Sequence, residues 1–149
     1  MKSLPVWMLA VLLLICGRAA AAQSVSVLGS PSFTISNAVA GFEPAPASDN
    51  TSSYSVTTPP ANRTYNITAR INTAMPAGTT LTATFIAPPG ATSVGPVALT
   101  TTDQNVVTAV PRRLTAETQG ITYQFVATVD AGVIATSNRT VTLTIVQAP

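Results

Sequence analysis

The feature that most constrains the fold of this chain is the strict alternation of apolar and polar side chains along residues 63–72. The apolar positions of this segment are Tyr65, Ile67, Ala69 and Ile71, and polar residues stand between them. Successive side chains of a β-strand point to opposite faces, so a period of two predicts a strand that buries only one face. Residues 80–86, 121–129 and 140–146 repeat the pattern.

Further segments have weaker strand patterns, and turn residues separate the strong ones. The weaker strand candidates are residues 24–28, 32–39, 53–57, 94–101 and 106–110. The sequences Pro76-Ala77-Gly78 and Asp130-Ala131-Gly132 predict turns, and we expect each to join two adjacent strands as a hairpin connection. We expect residues 112–119 to form a loop, with one turn of helix as the alternative. Many short strands between turns predict an all-β fold, an Ig-like or pilin-like antiparallel β-sandwich of about seven to nine strands.

The first 22 residues have the three-part pattern of a secretion signal. Lys2 supplies a positive start, residues 6–15 are almost continuously apolar, and residues 19–22 are all alanine. The apolar run is too short for a permanent membrane span. We therefore predict cleavage after Ala22, with Ala21 as the alternative site, and a secreted product that is extracellular, cell-surface or periplasmic. Residues 23–149 are then expected to form a single β-sandwich domain, without stable membrane insertion.

The predicted cleavage changes the charge of the chain. Lys2 and Arg18 account for the formal net charge of +2, and both lie in the signal. The charged residues that remain are Glu43, Asp49, Asp103, Glu117 and Asp130, with Arg63, Arg70, Arg112, Arg113 and Arg139. Such a balance is not the basic footprint of a nucleic-acid-binding protein. It also gives weak electrostatic protection against self-association. Arg112 and Arg113 are most simply a solvated pair in a loop.

The composition of residues 23–149 leaves little for catalysis. These residues contain no histidine, lysine or cysteine, so a serine nucleophile has no customary base and zinc has none of its usual nitrogen or sulfur ligands. Glu43 and Asp49 share one loop, but nothing in the sequence marks a carboxylate pair for glycoside hydrolysis, and their spacing matches no calcium loop. We therefore expect a protein that is not an enzyme and has no cofactor and no metal.

The start of the predicted mature chain is the segment most suited to assembly. In residues 23–31, Val25, Val27 and Gly29 alternate with polar residues before Pro31. A detachable strand of this kind can pair with an open sheet edge of a neighbouring subunit. The simpler interpretation is an ordinary first strand of its own domain. The partners expected from the first interpretation are further copies of this chain or related subunits, joined through strand edges.

The tyrosines offer a second kind of site. Tyr65 and Tyr123 lie on apolar strand faces, which predicts that both belong to the core. Tyr54 is the one tyrosine that we consider for a binding surface, together with the acidic residues Glu43 and Asp49. If exposed, this group would form a ligand surface for a glycan, and the chain would be a monomeric extracellular binding module.

Two stretches carry resemblances to known proteins. The sequence INTAMPAGTTL at residues 71–81 resembles small uncharacterised secreted proteins of bacteria. The residues ITY at 121–123, AGV at 131–133 and TVTLTI at 140–145 resemble the last hairpin of spore-coat-U-type subunits of archaic chaperone–usher pili. The second resemblance implies an incomplete Ig-like sandwich that a neighbour's strand completes, although the cysteines usual in that family are absent. We therefore expect a non-catalytic structural role, as a cell-surface or fibre subunit.

Overall fold

The structure, a computed structural model, describes residues 22–35 and 42–149. The predicted signal lies almost entirely outside the described residues. Within the described part, nine strands form two antiparallel sheets, which confirms the all-β sandwich. The strands are β1 Ser24–Leu28, β2 Ala47–Thr57, β3 Tyr65–Ile71, β4 Thr79–Phe85, β5 Thr92–Ser93, β6 Val97–Ala98, β7 Gln104–Val110, β8 Thr115–Ala127 and β9 Val141–Gln147.

One sheet has five strands and the other has four. The order in the five-stranded sheet is β1-β2-β8-β4-β6, and the order in the four-stranded sheet is β5-β7-β3-β9. The two inner faces supply the hydrophobic core. The largest buried side chains of the core come from both sheets and include Tyr54, Phe85, Ile67, Ile71, Ile121 and Val106.

The alternation that predicted the strands is the pattern that the sandwich buries. All four apolar positions of β3 are buried, at 4% exposure or less, and Leu81, Ala83 and Phe85 of β4 are also buried, at 7% or less. Tyr65 and Tyr123 are core residues, as predicted. In β9, by contrast, Ile145 is buried while Val141 and Leu143 are only half-buried. The period of two thus identified the strands, and their positions in the sheets set the degree of burial.

Two strands are longer than their patterns indicated. β2 begins at Ala47 rather than at residue 53, because its first half pairs with the end of β8. The prediction of a loop over residues 112–119 is wrong beyond Leu114, since β8 already begins at Thr115. The register of β2 on β8 shifts at two points, and these irregularities interrupt the alternation that a regular strand would show. β8 also ends at Ala127, and Val129 begins a short 3-10 helix instead of extending the strand.

Two weaker strand predictions are wrong as well. Residues 32–35 are not in a strand, and the rest of the predicted segment 32–39 lies outside the described residues. The predicted strand 94–101 contains only the two-residue β6, at Val97–Ala98. Gly95, with a φ of 91°, and the following Pro96 break the extended backbone ahead of β6. A proline also lacks the N–H that a central strand must donate.

Both predicted hairpins are connections between the two sheets. The turn at residues 76–78 leads from β3 in the four-stranded sheet to β4 in the five-stranded sheet. The segment after β8 leads back to β9, which pairs with β3 rather than with β8. A turn sequence shows that the chain reverses, but it does not show which strands pair. These crossings place the two turns together at one end of the sandwich, where Thr128 N donates to Gly78 O at 2.8 Å.

Candidate functional site

The predicted arm lies as strand β1 at the edge of the five-stranded sheet. It pairs antiparallel with β2 of the same chain, with Val25 opposite Val56 and Val27 opposite Tyr54. In the described part of the chain, β2 is its one hydrogen-bonded neighbour. The structure therefore places Val25 and Val27 as the simpler interpretation predicted, in the first strand of their own domain.

The side chains of β1 are held weakly. Val25 is half-buried, whereas Val27 is 41% exposed and Leu28 is 76% exposed. Full burial of a valine stabilises a fold by about 1.5–3 kcal/mol, so these residues contribute less than that each. The Gln23 side-chain amide adds only a long contact, 3.5 Å, to Ile145 O of β9. Main-chain pairing with β2 is therefore the principal attachment of the arm.

Gly29 ends β1 against a buried serine. Its φ is 114°, a conformation that favours glycine, and a Cβ here would lie 2.7 Å from Ser52 Oγ. Ser52 is 2% exposed, and its hydroxyl has no hydrogen-bond partner in the described part of the chain. Burying an unsatisfied hydroxyl costs about 1–3 kcal/mol. Ser52 lies just outside the predicted strand 53–57, although serine, tyrosine and valine alternate at positions 52, 54 and 56.

The prediction that Tyr54 belongs to an exposed ligand surface is wrong. Tyr54 is 1% exposed, because it lies on the inner face of β2. Its hydroxyl donates to Ile86 O at 2.6 Å, and its ring meets the Phe85 ring edge-on at 5.6 Å. Serines and threonines flank Tyr54 in the sequence, so its neighbours do not indicate that the position is buried. In the sandwich, a main-chain carbonyl satisfies the buried phenol hydroxyl.

The two acidic residues of the predicted surface have main-chain partners. Glu43 is exposed, and its Oε2 accepts a hydrogen bond from Val129 N at 3.0 Å. Asp49 is half-buried at the start of β2, and its Oδ1 accepts from Thr51 N at 3.0 Å. The structure therefore does not assemble Tyr54, Glu43 and Asp49 into one surface that a ligand can reach.

Burial of two tyrosines predicts how stability depends on pH. Burial, with a smaller contribution from the Asp49 carboxylate, raises the pKa of Tyr123 from 10.0 to about 12, and burial also raises the pKa of Tyr54. A raised folded-state pKa means that both phenols stabilise the fold fully below pH 10 and lose that contribution as the pH rises toward 12. We expect the free energy of unfolding to fall by about 1.4 kcal/mol per tyrosine for each pH unit in this range.

The same measurement has an internal control at lower pH. Residues 23–149 contain no histidine, lysine or cysteine, so the free energy of unfolding should stay nearly constant between about pH 6 and 9. Urea unfolding of residues 23–149 at a series of pH values checks both expectations. A steady decline that begins near pH 7 would contradict them.

A groove lies at one end of the sandwich. Its volume is about 570 Å³, and its lining includes Arg63, Arg112 and Gln147. The Arg63 guanidinium donates to Gln147 Oε1, which holds it at the groove wall. The groove is shallow and open, and it contains no acidic residue among its lining side chains. Arg63 and Arg112 are the charged side chains of its lining, and Pro149 also lies on its wall.

Within residues 22–35 and 42–149, no group of three or more potential ligands from histidine, cysteine, aspartate and glutamate comes together for a metal ion. No helix in that part of the chain is long and apolar enough to cross a membrane. Comparisons with protein-family models, with curated proteins and with solved structures found no match to this chain.

Proposed function

We propose that this chain is a secreted, non-catalytic structural protein, a subunit of a cell-surface or fibre assembly whose copies are joined by exchange of strand β1. The observation that carries the proposal is the attachment of β1, an edge strand that pairs through its main chain with one strand among the described residues. Main-chain pairing at a sheet edge is a common way for one chain to recognise another. The partner in this case is β2 of a second copy.

The junction after β1 favours opening. Residues 29–32 separate the arm from Phe33, whose ring lies 6.0 Å from the Phe125 ring and anchors the following segment to the body. Gly29 provides the backbone freedom for a hinge between the two. When the arm leaves, water reaches the buried Ser52 hydroxyl, so the opened form recovers part of the cost of its missing hydrogen bond. The hydroxyl thus lowers the free energy of arm release.

Exchange costs little in contacts. An arm that enters a second copy forms the same pairs on β2 as it forms within its own copy. The monomer and the exchanged form therefore differ chiefly in the entropy of association and in hinge strain. Higher protein concentration then favours the exchanged form. A second copy with its own arm displaced accepts the next arm, and repetition builds a chain.

A disulfide between β1 and β2 tests the proposal. Ser26 and Ser55 are directly opposite each other, a separation that a disulfide can bridge. The sole cysteine of the sequence, Cys16, is absent from residues 23–149, so Ser26→Cys/Ser55→Cys introduces the only two thiols. We expect the double variant, oxidised while dilute and then concentrated in about 500 mM salt, which weakens contacts between charged surfaces, to remain monomeric in light scattering. The reduced variant should form larger species as its concentration rises.

Single variants provide the matched control and detect the exchanged pairing itself. Ser26→Cys and Ser55→Cys proteins, mixed at high concentration and then oxidised, should yield a dimer that contains one copy of each, linked between positions 26 and 55. Each single variant oxidised alone should yield no such linkage, and peptide mass spectrometry identifies it. A mixture without that linkage, together with a reduced double variant that stays monomeric, would refute strand exchange.

A further inference from the structure

The arginines are concentrated at one end of the sandwich. Arg63 lies in the connection between β2 and β3, and Arg112 and Arg113 form the turn between β7 and β8. Arg63 and Arg112 line the same groove, and Arg113 N donates to Pro59 O at 3.1 Å across the two connections. We call these three residues the arginine end. The nearest acidic residue along β8 is Glu117, so the side chains of the half of the molecule around this end have a net charge of two positive units, three arginines less one glutamate.

The acidic residues are concentrated at the opposite end. Four of the five acids lie there, at or beyond the other ends of the strands: Glu43, Asp49, Asp103 and Asp130. We call these four residues the acidic end. Glu43 accepts a hydrogen bond from Val129 N, which places it beside Asp130. Both residues are exposed.

Two arginines share the acidic end but neutralise only part of it. Arg70 Nε lies 3.9 Å from Asp103 Oδ1, while the Arg139 guanidinium donates to the carbonyls of Ala74 and Asn138. The half of the molecule around the acidic end therefore has a net charge of two negative units. A seven-residue strand is about 23 Å long, which exceeds two Debye lengths at physiological salt. At this separation, dissolved salt screens the charges of the two ends from one another, so each end keeps its own sign within one copy.

We propose that the arginine end of one copy docks on the acidic end of the next copy. This inference rests on the proposed self-association and specifies its second contact. The open groove at the arginine end presents guanidinium groups, which bind carboxylates through paired hydrogen bonds. Glu43 and Asp130 project from the acidic end and are the carboxylates that this groove receives. Because the two docking surfaces differ, the contact repeats head to tail and extends a chain rather than closing a symmetric dimer.

Charge reversal at either end tests this contact. Recovery of association in a mixture of two reversed variants cannot result from a folding defect in either one. Arg112→Glu/Arg113→Glu makes both ends acidic, and Glu43→Arg/Asp130→Arg makes both ends basic. We expect each variant alone to associate at least about tenfold more weakly than the unchanged protein, because like charges then meet at every junction. An equimolar mixture should recover association, since the two variants can alternate along a chain. Sedimentation velocity of residues 23–149 measures both outcomes.

Salt and the disulfide lock separate this inference from strand exchange. Raising the salt from about 50 mM to 500 mM should weaken the association of the unchanged protein about tenfold. If the oxidised Ser26→Cys/Ser55→Cys protein still pairs in a salt-sensitive way, the end contact stands without strand exchange. If the charge-reversed variants exchange arms normally but their mixture gains nothing over each variant alone, the end contact is refuted and strand exchange stands. Absence of association at every salt concentration refutes both.

Discussion

Replacing Phe85 with alanine is expected to lower the free energy of unfolding by about 3–5 kcal/mol. Phe85 is 1% exposed, and its ring packs against the buried ring of Tyr54 between the two sheets. Removal of the ring leaves a cavity that rigid strands cannot close, so the lost burial and the lost contacts add together. Urea unfolding monitored by circular dichroism measures the change.

The adjacent residue is a matched control for Phe85. Ile86 follows directly in the chain and is 61% exposed, so Ile86→Ala removes a large apolar side chain at nearly the same place without opening the core. We expect that variant to lose less than about 1 kcal/mol. Its main-chain carbonyl, which accepts from the Tyr54 hydroxyl, is unchanged. Equal losses for the two variants would mean that the packing around Phe85 is not as described.

Replacing Gly78 with alanine is expected to cost about 3 kcal/mol, the second largest effect. Gly78 has a φ of 72°, and a Cβ there would lie 2.8 Å from the Cα of Ala131. A left-handed conformation costs a residue with a side chain about 1–2 kcal/mol, and the overlap with the Ala131 main chain adds a comparable amount. Thermal unfolding and urea unfolding of the variant measure the sum.

Gly95 separates the two causes of the Gly78 effect. Its φ is 91°, but a Cβ there would meet nothing within 4 Å. Gly95→Ala should therefore show the conformational cost alone, about 1–2 kcal/mol. If Gly78→Ala cost no more than Gly95→Ala, the contact between the turn at residues 76–78 and the segment after β8 would not hold in solution.

Sequence reasoning succeeded where one physical pattern dominated. β3 alternates without interruption and is central in its sheet, so its apolar side chains are all buried and its limits were predicted to within two residues. It failed where a bulge or a break disturbed the pattern. The register shifts in the β2–β8 pairing interrupt the alternation, so the first part of β8 was not predicted. Gly95 and Pro96 break the extended backbone, so the predicted strand 94–101 contains a strand of only two residues.

The candidate site shows the same division. The arm at β1 was predicted from the alternation of Val25 and Val27, and it forms the strand expected. Its pairing with β2 and the buried hydroxyl of Ser52 could not be predicted, because both depend on which strands lie side by side. Tyr54 was considered for a binding surface because Tyr65 and Tyr123, unlike Tyr54, lie on clear apolar strand faces. Its burial depends on Phe85 and Ile86, more than thirty residues away in the chain.

The sequence by itself determined that this chain forms β-strands with one apolar face, because the period of side-chain alternation is a local property of the backbone. It also determined the balance of five acids and five arginines over residues 23–149. The tertiary structure alone decided the pairing of the strands, the crossing of both turns between sheets and the sorting of charge between the two ends. These features arise from contacts between residues far apart in the chain, and local patterns contain no information about them.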